Sequence, residues 1–134
     1  AKKIKKDFES LGKRAKMTGF INSEKLNKIM SDTSVIVIPS VWNEPFGLVA
    51  AEAMSNGVAL ISSNSGGLPE IIRNNGILIK NINSKKIARQ IKKIISDPSL
   101  LTELQKKSWN NFNFDSKKIS SHLDDYREEL LFKK

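Results

Sequence analysis

The chain has 134 residues, 39% of them hydrophobic, which suits one compact domain with a buried core but leaves no room for two. It contains no cysteine and one histidine, His122, which excludes disulfides and thiolate metal sites and leaves no histidine cluster for a zinc centre. No apolar run approaches the roughly 20 residues of a membrane-spanning helix, and the first ten residues lack the apolar core of a signal peptide. We therefore expect a cytoplasmic protein.

The charge balance is strongly basic: 23 basic residues against 14 acidic ones give a net charge of +9. Such a charge can attract nucleic acid, anionic lipid or a phosphorylated ligand. However, 19 of the 23 basic residues are lysine, and the chain is also rich in isoleucine and asparagine, as AT-rich coding favours whatever the protein binds. Nucleic-acid grooves usually interleave arginine and aromatic residues with their charge. Since the four arginines here are scattered, we expect no nucleic-acid partner.

The N-terminal part predicts a helix followed by a short strand. Residues 2–14 place Ile4, Phe8 and Leu11 at the spacing of an amphipathic helix, with lysines on the other faces. The segment 17–21 (MTGFI) is interpreted as a strand that ends in a loop. Because the chain opens on a helix, we expect the first strand and turn of the domain to lie upstream of residue 1.

The rest of the chain alternates strands and helices. A helix capped by Asn22 or Ser23 leads into 35–38 (VIVI), whose continuous β-branched residues indicate a strand covered on both faces. The further predicted elements, in order, are a helix at 45–56 ended by Gly57, a strand at 58–62, a turn at 65–67, a short helix at 68–73, a strand at 76–79, a helix capped by Ser84, a helix at 99–110 and a last helix from residue 115.

This alternation predicts an α/β fold, a Rossmann-like, doubly wound parallel sheet flanked by helices. In such folds, ligands bind at the carboxyl ends of the strands, where loops lead into helix N-termini. The rule points to residues 40–48 and 62–68 as the candidate site.

The stretch 35–52 (VIVIPSVWNEPFGLVAAE) contains two glutamates, Glu44 and Glu52, eight positions apart around a predicted helix start. Free amides at a helix N-terminus favour an anion, and Gly47 lets a phosphate approach the backbone without a Cβ in the way. A carboxylate can accept two O–H bonds from a vicinal diol. A nucleotide sugar fits this arrangement, with its diphosphate at the helix start and a glutamate on each sugar.

Structural roles for the two glutamates remain open on chemistry alone. Glu44 fits an exposed loop acid equally well. Glu52 lies among apolar residues, where a buried carboxylate is costly unless it is hydrogen-bonded, so a salt bridge to a neighbouring lysine is its alternative.

The motif EPFGLVAAE followed by AMSNGVALISSNSGGLPEII resembles the nucleotide-sugar-binding half of retaining glycosyltransferases of the GT-B fold, most closely family 4. The resemblance runs from about residue 17 to the C-terminus. It implies a hexosyltransferase of polysaccharide, lipopolysaccharide or glycolipid synthesis that acts on a nucleotide-sugar donor, with no cofactor and no essential metal.

Carried over by position, the resemblance implies that Glu44, Phe46 and Gly47 bind the donor sugar and that Gly47 and Leu48 bind the diphosphate. Glu52 would bind the ribose, and the backbone of Ile21 the base. The family's donor-site arginine and lysine and its acceptor-binding N-terminal domain lie upstream of any matching residue. We therefore expect residues 1–134 to form one donor-binding domain, an N-terminally truncated piece of a two-domain enzyme, with no catalytic residue of its own and no activity alone.

Two other functions are compatible with the same residues. One is a non-catalytic nucleotide-sugar-binding or interaction module, since fold alone does not decide activity. The other is part of a GT-B-fold nucleotide-sugar epimerase. In addition, the lysine-rich N-terminal helix suits a peripheral contact with the inner face of a membrane, although lysine bias is the simpler account of its charge.

Overall fold

A computed structural model describes residues 7–112. The helices are α1 (Ser23–Ser31), α2 (Leu48–Ser55), α3 (Leu68–Ile72), α4 (Ser84–Ser96) and α5 (Pro98–Asn110), and the strands are β1 (Val35–Ile38), β2 (Ala59–Ser63) and β3 (Ile77–Ile79). A short 3-10 turn, Gly12–Arg14, precedes them. The helix predicted from residue 115, which contains His122, lies outside the described residues. No helix between residues 7 and 112 is long and apolar enough to cross a bilayer.

The three strands form one parallel sheet in the order β1-β2-β3. Val35 lies opposite Ala59, and Ile61 lies opposite Ile77. Helix α2 connects the first two strands and α3 connects the last two, so each connection is a crossover through a helix, as parallel pairing requires. All three strands therefore present their carboxyl ends at the same edge of the sheet.

Helices cover both faces of the sheet because successive apolar side chains of each strand point to opposite faces. Ile38 and Leu60 point to one face and pack with α2 and α3, whereas Ile61 and Ile79 point to the other and pack with α4 and α5. Every residue of β2 is buried, as expected for the central strand. The predicted fold class, an α/β domain with a parallel sheet flanked by helices, is thus confirmed.

The strand predicted at 17–21 is wrong. Gly19 has a φ of +61°, a left-handed conformation that interrupts an extended backbone. The side chains of Met17 and Phe20 are 70% and 101% exposed, so the segment also lacks the burial that a core strand needs. Apolar composition suggested the strand, but the glycine determines the local backbone.

The helix predicted over 2–14 is also shorter than expected in its described part. Residues 7–9 are helical, but Gly12 has a φ of +55° and opens a separate 3-10 turn. Leu11, predicted to face a core, is 44% exposed. The left-handed glycine again ends the regular element.

The later helices begin with side-chain caps. Asn83, not Ser84, caps α4, and its side chain accepts a hydrogen bond from the amide of Lys86 at 3.0 Å. Asp97 caps α5: its carboxylate accepts the Ser99 hydroxyl at 2.5 Å and the amides of Ser99 and Leu100 at 3.1 Å. The hydrogen bond from the Ser99 side chain, followed by that from the Leu100 amide, lowers the pKa of Asp97.

Candidate functional site

The candidate site is built on the loop between β1 and α2, residues 39–47, called here the Glu44 loop. The helix was predicted to begin at Pro45, but α2 begins at Leu48. Gly47 has φ +96° and ψ +46°, a left-handed backbone that cannot belong to a right-handed helix. Residues 45–47 therefore turn the chain into the helix, and Glu44 lies four positions before the helix rather than at its start.

Gly47 is required by its surroundings as well as by its φ. A Cβ at this position would lie 2.9 Å from Cδ2 of Leu68, the first residue of α3. The carbonyl of Gly47 accepts the amides of Ala50 and Ala51 at 2.9 and 3.2 Å. Among the described residues, no acceptor is found for the amide of Leu48. This N–H remains available at the positive end of the helix dipole, as an anion site needs.

A second loop holds the Glu44 loop in place. This segment, Ser65–Gly67, follows β2 and is called here the Gly-Gly turn. The amide of Gly67 donates to the carbonyl of Glu44 at 2.7 Å, and the hydroxyl of Ser65 donates to the carbonyl of Trp42 at 2.8 Å. A Cβ on Gly66 would overlap the backbone of Glu44. The sequence left open whether this turn lines the cleft or only connects two elements; the structure adds a positioning role that sequence reasoning missed.

Glu44 is half-buried in the loop that follows the carboxyl end of β1. One of its oxygens, Oε2, accepts a long hydrogen bond of 3.5 Å from the hydroxyl of Ser40. A carboxylate offers about four acceptor positions in all. Glu44 is therefore placed by its backbone and retains acceptor capacity for a ligand.

Glu52 is exposed, so the expectation of a buried carboxylate is wrong. The buried residues of α2 are Ala50, Ala51, Ala53 and Met54. Its exposed face is formed by Leu48, Val49 and Glu52. Positions three and four apart share a helix face, which is why Glu52 lies on the same side as the first two residues of α2. No ion pair joins Glu52 to a lysine within residues 7–112, so the salt-bridge alternative lacks support there.

The other two predicted site residues lie in different settings. Phe46 belongs to the Glu44 loop and is 44% exposed. Ile21 is half-buried and immediately precedes Asn22, the cap of α1. No hydrogen bond connects Ile21 to the Glu44 loop in the part of the chain that the structure describes. The structure thus brings together Glu44, Phe46, Gly47 and Leu48 and places Glu52 on the adjoining helix.

Sequence reasoning also missed a cavity of about 240 Å³ beside the Glu44 loop. Its walls come from Ser40 after β1, Ser63 at the end of β2, and Ile79 and Asn81 around the end of β3. Three successive polar residues, SSN at 62–64, where the apolar run of β2 ends were the available signal. No three carboxylate, imidazole or thiol side chains of residues 7–112 are grouped where they could hold a metal ion.

The family model for glycosyl transferases group 1 matches residues 1–110. The chain belongs to this family. It is 44% identical over 91 residues to an uncharacterised glycosyltransferase of Methanocaldococcus jannaschii, an alignment that covers 65% of the chain and 23% of the relative. It is 31% identical over 109 residues to spore coat protein SA of Bacillus subtilis, covering 78% of the chain and 29% of the relative. The chain thus spans less than a third of these relatives.

Solved structures share the fold. Sucrose-phosphate synthase from Thermosynechococcus elongatus superposes with a TM-score of 0.80 at 31% identity, over 97% of the chain and 34% of the synthase. The C-terminal domain of the group 1 glycosyltransferase LpcC from Francisella tularensis gives 0.71 at 30% identity, over 81% and 58%. HepE from Anabaena, solved with UDP and glucose, gives 0.82 over 96% and 36%, but at 23% identity it speaks for the fold alone.

Proposed function

We propose that this chain is the donor-binding domain of a retaining, GT-B-fold glycosyltransferase of family 4, and that it binds a nucleoside diphosphate sugar. One observation supports the proposal most directly. The left-handed Gly47 precedes α2, whose first amide has no acceptor among the described residues, and this amide lies between Glu44 and Glu52, two carboxylates with little or no bonding to the rest of the described chain. Glu44 keeps most of its acceptor capacity, and Glu52 has no side-chain partner among the described residues.

The diphosphate is assigned to the start of α2. There the N–H of Leu48 combines with the helix dipole to favour negative charge, whereas Gly47 itself is buried. Leu68 occupies the side of Gly47 where a Cβ would lie. The glycine therefore lets α3 pack closely against the loop, in addition to permitting the left-handed turn.

The two carboxylates are assigned to the two sugars of the ligand. Glu44, Phe46 and Gly47 bind the hexose, and Glu52 binds ribose hydroxyls from the exposed face of α2. A carboxylate that accepts hydroxyl protons contributes about 1.5–3 kcal/mol per charge-assisted bond. The base is assigned to the backbone of Ile21, on the separate segment that precedes α1.

The activity of the whole protein is proposed on the family and the resemblance. In the complete enzyme, an N-terminal domain supplies the acceptor site, and transfer proceeds with retention at the anomeric carbon and without a metal. Electrostatic stabilisation of the departing diphosphate is then the main catalytic contribution. We place the enzyme in the synthesis of polysaccharide, lipopolysaccharide or glycolipid, on the cytoplasmic side of the membrane, and expect residues 1–134 alone to transfer no sugar.

Nucleotide binding by the isotope-labelled 134-residue chain tests the donor site. Amide chemical shifts are followed while UDP, GDP or ADP, and then the matching sugar nucleotides, are titrated with and without EDTA. We expect one nucleoside diphosphate to cause saturable shifts at residues 46–49, and the corresponding nucleoside monophosphate, titrated as a control, to bind much more weakly. Glu52→Gln should weaken the nucleoside diphosphate by about tenfold or more, the equivalent of about 1.5 kcal/mol, and Glu44→Gln should weaken only the sugar nucleotide.

Glu103→Gln is the matched control because it makes the same change of charge on α5, where Glu103 pairs with Lys107. Equal effects of all three substitutions would show a general electrostatic response and would refute the assigned roles. Absence of any saturable diphosphate shift would refute the donor site itself. Sugar transfer by the full-length protein, as opposed to epimerisation of its donor or mere binding, separates the proposal from the two other functions.

A further inference from the structure

The outer side of α4 carries five cations and no acid. Its inner side is apolar: Ile87, Ile91 and Ile94 pack in the cluster that also contains residues of the sheet and of α5. The opposite side, called here the α4 basic face, consists of exposed residues. They are Lys85, Lys86, Arg89, Lys92 and Lys93. Since the helix has 13 residues and rises about 1.5 Å per residue, it presents these cations along about 20 Å.

A lysine-rich composition does not account for this distribution. Helices α2 and α3 contain two glutamates, Glu52 and Glu70, and no cation, whereas α4 contains five cations and no acid. Because α2 and α3 pack on one face of the sheet and α4 on the other, the charge differs in sign between the two sides of the domain. A general bias toward lysine would place cations on both sides.

The cations of the α4 basic face repel one another. Arg89 lies four positions after Lys85 and four before Lys93, and like charges at this spacing destabilise a helix. No carboxylate of residues 7–112 forms an ion pair with α4. The next acid along the chain, Asp97, caps α5, and of these five cations Lys93 acts on its carboxylate. A negatively charged partner would therefore relieve a repulsion that the described chain leaves uncompensated.

A cavity of about 260 Å³ borders the N-terminal end of the α4 basic face. Three cations line it: Lys80, which follows β3, and Lys86 and Arg89 of α4. The ammonium group of Lys86 is held in place because it donates to the carbonyls of Lys80 and Asn81 at 2.7 and 3.1 Å. Phosphate oxygens accept strong hydrogen bonds from ammonium and guanidinium groups, so the cavity suits a phosphate group.

We infer that the α4 basic face docks on an anionic lipid surface, with lipid phosphates against its cations. Nucleic-acid sites usually combine arginine and aromatic side chains with their charge, whereas this face has one arginine and no aromatic residue. Ile95 is 74% exposed and lies three positions after Lys92, beside the cations. An exposed aliphatic side chain next to lysines suits the boundary between headgroups and acyl chains. The inference is independent of the donor site because α2 lies on the other face of the sheet.

Co-sedimentation of the 134-residue chain with vesicles tests this inference. Vesicles of phosphatidylcholine and phosphatidylglycerol in equal parts should bind the chain, and vesicles of phosphatidylcholine alone should not. A cation near an anionic bilayer contributes a factor of about five in affinity, so the triple variant Lys85→Gln, Arg89→Gln, Lys92→Gln should bind about a hundredfold more weakly. Because the substitutions remove repelling charges, this variant should remain folded, which circular dichroism checks.

The matched control removes two lysines and one arginine from the segment before α1. The triple variant Lys13→Gln, Arg14→Gln, Lys16→Gln makes the same change of charge at residues that are also exposed. It should weaken vesicle binding far less than the α4 variant does. Equal losses in the two variants would show a response to net charge and would overturn the inference, as would equal binding to both kinds of vesicle.

Three further measurements identify the partner. Ile95→Ser should weaken vesicle binding by about fivefold, since the isoleucine is partly buried in the bilayer; unchanged binding would contradict this orientation of α4. Duplex DNA and single-stranded RNA at the same salt concentration should bind more weakly than anionic vesicles, and tighter binding would make nucleic acid the partner. Saturable amide shifts at residues 80–89 with inorganic phosphate, in the absence of vesicle binding, would assign the cavity to a small anion and overturn the docking surface.

Discussion

Replacing Gly66 by alanine should destabilise the domain and displace the Glu44 loop, because the Gly-Gly turn packs against that loop. The backbone of Gly66 has a φ of +55°, and a Cβ built on it would lie inside the contact distance of the nitrogen, carbon and oxygen of Glu44. These are backbone atoms, held by the hydrogen bond from the amide of Gly67 to the carbonyl of Glu44. The clash therefore cannot be relieved by turning a side chain, and one of the two loops must move.

The magnitude follows from two contributions. A left-handed backbone costs an alanine about 1–2 kcal/mol, and forcing extra volume into a packed contact costs a further 1–3 kcal/mol. We expect Gly66→Ala to lower the free energy of unfolding by about 2–5 kcal/mol, a large share of the 5–15 kcal/mol typical of a domain. Gly12 has the same φ of +55° with nothing within 4 Å of an added Cβ, so Gly12→Ala should cost only the backbone contribution.

Urea unfolding followed by circular dichroism measures both variants. The difference between Gly66→Ala and Gly12→Ala isolates the contact with Glu44 because the backbone contribution is common to both. In the fraction that remains folded, Gly66→Ala should also weaken nucleoside diphosphate binding, since the loop that carries Glu44 is displaced. If Gly66→Ala were no more destabilising than Gly12→Ala, the Gly-Gly turn would not support the Glu44 loop as the structure indicates.

Three further changes test neighbouring contacts. Gly47→Ala should lower the free energy of unfolding, measured in urea, by about 2–4 kcal/mol. Leu68→Ala should relieve part of the clash, so the double variant should lose less stability than the sum of the two single variants. Strict additivity would contradict the contact between position 47 and Leu68. Ser62→Ala should lower stability by about 1 kcal/mol, whereas Ser63→Ala, which loses no internal hydrogen bond, should leave stability unchanged or raise it by up to about 1 kcal/mol; equal losses would contradict the unpaired hydroxyl. Because hydrogen bonds lower the pKa of Asp97 in the folded state, its contribution should be complete above its ordinary pKa and lost as the pH falls through the lower folded value. Thermal unfolding across acid pH should therefore show a steeper loss of stability in the parent than in Asp97→Asn, and equal slopes would contradict the role of these hydrogen bonds.

Where strong periodicity and buried strands were present, the sequence predicted the architecture correctly. The β-branched run at 35–38 is a strand with helices on both sides, and Gly57 ends α2 in a left-handed conformation with a φ of +66°. Three errors in the bounds of elements share one cause. Gly12, Gly19 and Gly47 adopt positive φ, and at each one an element predicted to be continuous is interrupted or begins later. A glycine permits a positive φ but does not require one. Whether it adopts one depends on tertiary contacts that cannot be read from a single sequence.

For the site, the sequence placed the chemistry in the correct loop but not the supporting contacts. The position of Glu44 depends on bonds from Ser65 and Gly67, more than twenty residues further along the chain. The exposure of Glu52 was misjudged because its apolar neighbours were taken to surround it, whereas the alanines of α2 face inward and leave Glu52 on the outer face. The cavity at Ser63 requires three strand ends to meet, which no local pattern encodes.

The structure divides the family motif into residues that the fold explains and residues that it does not. Gly47, Gly66 and Gly67 are each accounted for by a neighbour that a Cβ would meet, so their presence would be required even if no ligand bound. Glu44 and Glu52 differ: among residues 7–112 the side chain of Glu44 makes one long hydrogen bond, with Ser40, and Glu52 is exposed. Neither carboxylate is needed to hold the described part of the chain together. The inference to a nucleotide sugar therefore rests on the two glutamates, and the glycines explain why Glu44 is held beside the start of α2.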